Sequence, residues 1–505
     1  MRAPAPGLRR STDAAAELTP PTRRPAAWTA AVCAAVPVGF LAAVVFEGIA
    51  APHQSHAERQ LLGHWLRFST AGARFLGAHT DRRTIVGCGL VLLAAWLVVA
   101  VALARQPARL RITALWAAAW SLPFTLGVPI LSRDGYAYLA QGEVARRGHD
   151  PYRVAVQSLG EHDRLLRAVD PLWRHTVPPY GPLGLRAARL AAEVAHAVGA
   201  PSAGLMVLRA LAVAGVVVTA ACVVALALPE RRALALWLVM SPLTLLHLIG
   251  AMHLEAMVCG LLTGAVLLAR RGRVGWAFSV AAVAASIKVT AAVLLLAVAV
   301  HRWRQRGRWI DGLAAGLRAG LVGAAATVVV MVVIGWPDPF GWVRGLATPK
   351  AVWDPLTLSS ALTVLAHHAS SWVGVQPGFD LLPWLRLAVL AVGGLVGVRI
   401  LWAADRRELS LTAAYLAADV ALCGPVLWPW YLAPVAALLL TSRSVRGWMA
   451  AALCGTAPAI AALPVPVVQM QRVAYAAEAV GVTALAVASI WVRQRRQTEV
   501  TGSAP

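Results

Sequence analysis

Runs of about 20 apolar residues, separated by short arginine clusters, recur from residue 27 to residue 492, and no other feature constrains this chain as strongly. A helix of that length spans the hydrocarbon core of a bilayer and satisfies its backbone internally. Barrel strands would instead alternate over about ten residues. With 59% hydrophobic and only 14% charged residues, against about 25% charged in soluble domains, the expected fold is an all-α polytopic membrane protein. A porin, a disordered chain and a nucleic-acid-binding enzyme are excluded. The net charge of +23 is spread over short loops rather than gathered on one face, which is positive-inside topology. The six cysteines all lie in apolar segments without paired spacing and read as small core residues.

Residues 27–50, 84–104, 110–130, 204–228, 233–250, 251–269, 274–287, 288–301, 313–335, 382–403, 409–424, 426–441, 447–463 and 472–492 are the expected spans, which gives about 12–14 transmembrane helices. They form one membrane domain over 27–492 between a disordered cytosolic tail at 1–26, rich in Pro, Ala and Arg, and a cytosolic tail at 493–505. With both termini cytosolic, the turns at 105–111, 230–232, 270–273, 302–308, 406–407 and 442–446 all carry arginine and lie inside. That register requires the stretch 274–301 to break near Ser286-Ile287-Lys288 into two short segments. Broken backbone of this kind is tolerated only where it lines a protein cavity.

The long polar loops at about 51–82, 131–203 and 336–381 then face outward. The largest, expected to carry short amphipathic helices, holds Asp134, Glu143, Asp150, Glu161, Asp163, Asp170 and Glu193. Asp134, in Ser132-Arg133-Asp134-Gly135-Tyr136, directly follows an apolar run. A carboxylate at that boundary suits a general base strengthened by partial loss of water, or a helix N-cap. Tyr152 and Tyr180, in the turns Gly148-His149-Asp150-Pro151-Tyr152 and Pro178-Pro179-Tyr180-Gly181-Pro182, suit sugar rings or interfacial anchoring. Polar residues within spans are costly and face a cavity or one another. The densest run is 241–255, ending in His253-Leu254-Glu255, either a substrate site or a pair locking helices. Lys288, at the inferred break, meets an anionic group or forms a salt bridge to Glu255 or Asp419. No third ligand at standard spacing accompanies His253 and Glu255, so neither a metal nor a cofactor is assigned.

In this order, these residues resemble the polyprenol-phosphomannose-dependent α-1,6-mannosyltransferases of actinobacteria, in the glycosyltransferase-C superfamily. The resemblance covers about residues 110–445 and rests on 132–142, the turn at 148–152, Pro179-Tyr180-Gly181-Pro182-Leu183, 241–262, Ile287-Lys288, Gly345-Leu346-Ala347-Thr348-Pro349 and Trp428-Pro429-Trp430-Tyr431-Leu432. It implies a glycosyltransferase-C-like membrane enzyme of the cell envelope that transfers mannose, with inversion, from polyprenyl-phosphate-mannose to a glycan or lipoglycan at the outer face. Asp134 matches the catalytic acid/base carboxylate of the first large external loop. Lys288, with Arg133 or Arg344, would balance the leaving phosphate, while Tyr136, Tyr180, His253, Glu255, Trp428 and Trp430 would line the substrate paths. The chain departs from the family's His-Asn-Asp, because Leu254 cannot hydrogen-bond a sugar. A transporter or lipid-linked-sugar flippase, with His253, Glu255, Lys288 and Asp419 as an ion relay, is the alternative of a different class.

Overall fold

The computed structural model describes residues 25–50, 55–75, 82–106, 108–304, 309–335, 338–354, 356–372, 380–404 and 407–461. The tail before residue 25, the expected span at 472–492 and the C-terminal tail at 493–505 lie outside them. Every regular element among the described residues is helical, so the chain is an all-α polytopic membrane protein, as its apolar runs require.

Among the described residues, four helices are long and apolar enough to cross a membrane unaided: Thr29–Ala50, Arg83–Arg105, Pro201–Leu226 and Leu382–Trp402. Most other expected spans are shorter apolar helices or broken ones, and proline contributes to the breaking. Leu110–Leu126 runs through Pro123 and ends at an extended Gly127, short of the expected residue 130 and just before Pro129, which disfavours helix at the residue preceding it. Pro242 lacks the N–H that would continue Arg232–Val239. The chain therefore bends by 62° into a π-helical turn, Thr244–Gly250, before Glu255–Arg270 begins.

The stretch 274–301 breaks where the arginine register demanded. Val274–Ala285 ends at Ser286, Lys288 is extended, and a short 3-10 turn leads into Val293–Arg304. Val274, Val298, His301 and Arg302 line one cavity, so the two pieces return to the same face. Arg270, Glu408 and Arg443 line it too, gathering three arginine-bearing turns at one end of the helices.

Small residues let the helices approach closely where hydrophobicity alone gives no drive to associate. Gly215 lies so near Ala256 that a Cβ would stand 2.3 Å from its carbonyl oxygen. The loop 131–203 carries Asp134–Arg146, Arg164–Ala168, Pro171–Arg174 and Pro182–Val198. Two of its acids act as helix caps: Asp163 accepts from Leu165 N–H at 2.8 Å, and Asp170 from Leu172 N–H at 3.0 Å. Gly181 and Leu183 then donate to the carbonyls of Ile287 and Ser286 at 2.9 and 3.0 Å, docking this loop on the break that holds Lys288.

Candidate active site

Asp134 opens the helix Asp134–Arg146, yet its carboxylate does not serve the cap. Ser132 Oγ accepts the Asp134 N–H at 3.1 Å, and the side chain turns inward, with the residue 6% exposed. Oδ1 accepts from Trp173 Nε1 at 3.1 Å, Oδ2 stands 3.5 Å from the Tyr138 hydroxyl, and His253 Nδ1 is 3.4 Å from Oδ2. Tyr138 shares a helix face with Asp134 because the two are one turn apart. Its hydroxyl lies 3.3 Å from that of Tyr180, whose carbonyl accepts from Tyr152 Oη at 2.9 Å. Burial first, then the charges of Asp134 and Glu255, hold the Tyr138 and Tyr180 phenols well above their usual range. They stay neutral donors.

The π-helical turn and the segment after it deliver His247 and His253, which face the Trp428-Pro429-Trp430-Tyr431 motif. His253 stacks on Trp430 with centroids 3.7 Å apart and planes 15° apart, and His247 lies 5.6 Å from the same ring. Trp428 continues the aromatic wall, 5.4 Å from Trp430 and 5.8 Å from Trp173. Glu255, the first residue of its helix, is buried and forms an ion pair with Lys288. The Lys288 ammonium also sits 3.5 Å over the Tyr431 ring, a cation–π contact. Of the two salt-bridge partners expected for Lys288, Glu255 holds it; the Asp419 carboxylate instead takes a hydrogen bond from Cys423 Sγ at 3.6 Å.

The structure thus gathers Asp134, Tyr180, His253, Glu255, Lys288, Trp428 and Trp430. Three other expected residues are engaged elsewhere. Arg133 pairs with Glu58 at 3.2 Å, Arg344 pairs with Asp338 at 2.8 Å and is 51% exposed in its side chain, and Tyr136 is buried two positions from Asp134, off its helix face. Sequence reasoning passed over Tyr138, Trp173, His247 and Tyr431. One-turn spacing from Asp134 would have found Tyr138, and adjacency to Trp430 would have found Tyr431. No local signal marks Trp173. Among the described residues, no three of His, Cys, Asp and Glu gather as metal ligands.

Chemically, the cluster presents an oriented carboxylate, a neutral hydroxyl pair, a cation half committed to a carboxylate, and flat aromatic walls. Such walls fit the apolar faces of a sugar ring, and an ammonium fits a phosphate.

A family model described as alpha-(1->6)-mannopyranosyltransferase, N-terminal domain, matches residues 26–304. That stretch is more than half of the chain and carries every cluster residue except those from the Trp-Pro-Trp-Tyr motif. Among curated relatives, the alpha-(1->6)-mannopyranosyltransferase A of Mycobacterium tuberculosis is 31% identical over 343 residues, covering 65% of each chain. The alpha-(1->6)-mannopyranosyltransferase A of Corynebacterium glutamicum is 28% identical over 346 residues, 64% of this chain and 69% of the relative. The alpha-(1->6)-mannopyranosyltransferase B of the same organism is 26% identical, over 62% of this chain and 56% of the relative. The chain therefore spans just under two thirds of the mycobacterial relative's length. No solved structure matches significantly. On the extent of the family match, the chain belongs to the alpha-(1->6)-mannopyranosyltransferase family.

Proposed function

We propose that this protein is a membrane mannosyltransferase that moves mannose from polyprenyl-phosphate-mannose to a hydroxyl of a glycan or lipoglycan, inverting the anomeric centre and forming an α-1,6 link. One observation carries this reading: the buried Asp134 carboxylate, with both oxygens contacted by side chains, lies beside the Trp173–Trp428 aromatic wall and in one cluster with Lys288 and its buried partner Glu255.

In the proposed reaction the acceptor hydroxyl attacks the anomeric carbon as its proton passes to Asp134, a role worth about 10²–10⁴ in rate. The carbon–oxygen bond to the phosphate breaks, and the polyprenyl phosphate leaves with the electron pair. Trp173 Nε1 holds the carboxylate in orientation, and His253 Nδ1 stands 3.4 Å from it. Charge balance falls to Lys288, since Arg133 and Arg344 are committed to Glu58 and Asp338. An ammonium has three donors, so Lys288 can keep Glu255 and still meet a phosphate oxygen. Trp428, Trp430 and Tyr180 flank the sugar.

The outer-face placement is supported by the opposite end of the helices. There Arg270, Arg302 and Arg443 gather around one cavity, the charge expected on the cytosolic side. The test uses membranes containing the protein, polyprenyl-phosphate-[¹⁴C]mannose and an α-mannoside acceptor. Labelled α-1,6 product is expected. Labelling from a nucleotide-mannose but not from the lipid donor would overturn the reading.

A further inference from the structure

Arg209 lies within the apolar helix Pro201–Leu226 and is 1% exposed. A guanidinium so placed is costly unless most of its donors are answered. Its Nη1 donates to the carbonyls of Phe124 and Gly127, the latter at 3.1 Å, and its Nη2 donates to the carbonyl of Gly250 at 3.1 Å, while Nε is buried without a hydrogen-bond partner. The buried Glu47 carboxyl is the acidic group whose field bears on it, and it accepts from Ser69 Oγ at 2.8 Å.

Those three carbonyls belong to two helix ends. Phe124 and Gly127 close Leu110–Leu126, and Gly250 closes Thr244–Gly250. The last carbonyls of a helix lack intrahelical partners and carry the negative end of its dipole. One buried cation therefore caps two C-termini at once. Ile130 N–H adds a direct tie to the Gly250 carbonyl at 3.2 Å.

From this clasp the two strands run straight to the reacting cluster, one to Asp134 and the other to His253. Each passes one residue in left-handed backbone, Leu131 with φ 63° and Met252 with φ 59°. Bulky residues rarely adopt that conformation, and it persists only where surrounding contacts over-determine it.

We propose that Arg209 is a positioning residue for transfer, whose clasp on two helix ends sets the 3.4 Å approach of His253 to Asp134. The proposal rests on the reading of Asp134 as the general base. A misplacement of about 1 Å can reduce a rate about 10²-fold, so a clasp that fixes two strands reaches the chemistry without touching substrate.

The experiment compares Arg209→Lys, Gly250→Ala, Asp134→Asn and the double variant Arg209→Lys/Asp134→Asn in the full chain, by thermal stability and by kcat and donor KM in the assay above. Lysine keeps the charge facing Glu47 but cannot span two helix ends. A folded Arg209→Lys protein is expected to lose about 10²-fold in kcat with donor KM unchanged, and to add nothing to Asp134→Asn. Gly250→Ala leaves Arg209 in place, and its Cβ would press on Ile130 at 3.1 Å. It tests the clasp should Arg209→Lys fail to fold, with an expected loss of about tenfold for a smaller displacement. Wild-type kcat in either folded variant, or a loss from Arg209→Lys that persists undiminished on Asp134→Asn, overturns the proposal. Full activity of Asp134→Asn itself would instead overturn the base reading, a separate outcome.

Discussion

The helices Glu255–Arg270 and Val293–Arg304 have charged groups at both ends, and the two ends treat those groups in opposite ways. At one end a mostly buried Lys288, roofed by Tyr431, pairs with the buried Glu255, beside an Asp134 that is likewise buried. At the other, Arg270 pairs with Glu408 at 2.6 Å with 21% and 33% of the two side chains exposed, and Arg302 and Arg443 share the same open cavity. Charges of the second kind are solvated and are explained by topology alone. Charges of the first kind carry a desolvation cost that packing apolar residues would have avoided, so their retention needs another reason, and the proposed chemistry supplies it.

The largest expected effect is at the buried end. Asp134→Asn is nearly isosteric and keeps an oxygen to accept from Trp173, so the protein should fold with unchanged thermal stability. Transfer should fall by at least about 10²-fold, measured as label moved from the lipid donor. Retention of more than about a tenth of the rate would leave the buried end with no catalytic claim over the exposed one.

Lys288 comes next, because its pairing with Glu255 gives it two separable roles. Lys288→Met strands a buried carboxylate, at a cost of about 3–5 kcal/mol, and should lower thermal stability in detergent, whereas Lys288→Arg should retain partial activity. Adding Glu255→Gln to Lys288→Met removes the stranded charge and should restore folding. If donor saturation stays impaired in that double variant, the ammonium serves the phosphate. If donor use recovers with stability, the pair is structural and the buried end loses its phosphate site.

A smaller loss is expected from Trp173→Phe. The ring contact with Trp428 survives while the hydrogen bond to Asp134 Oδ1 is removed, a charge-assisted bond worth about 1.5–3 kcal/mol. The kcat should drop about tenfold or somewhat more, with acceptor KM nearly unchanged.

What was legible in the sequence followed from length and spacing. Apolar runs gave the helices, and arginine-bearing turns located the break at Lys288, because an unbroken helix there would have put the turn after it on the wrong face. Asp134 was legible from its place at the end of an apolar run. The stacking of His253 on Trp430 was not, since it joins segments far apart in sequence whose contact depends on the bend after Pro242. The reach of the helices was overestimated where an apolar run holds a proline near its end, as before Pro129 and at Pro242. Arg209 was legible and overlooked: an arginine inside Leu208-Arg209-Ala210-Leu211-Ala212-Val213 is expensive in a span and signals a buried partner such as Glu47.

The smallest effect belongs to the exposed end, and its smallness is what the comparison requires. Glu408 accepts from Arg270 Nη2 at 2.6 Å and from the Arg443 N–H at 3.0 Å. Glu408→Gln keeps an acceptor for both donors and removes only the charge. A partly exposed pair of this kind contributes about 0.2–1 kcal/mol, and salt screens it. The variant should therefore melt slightly below the parent at low ionic strength, the gap should close in about 0.5 M salt, where the Debye length falls well below its value of about 8 Å at physiological ionic strength, and transfer should be unchanged. A loss of transfer beyond about tenfold at equal stability would mean that the two ends communicate along Glu255–Arg270 and Val293–Arg304, and that the arginine-lined cavity acts in the reaction rather than only orienting the chain.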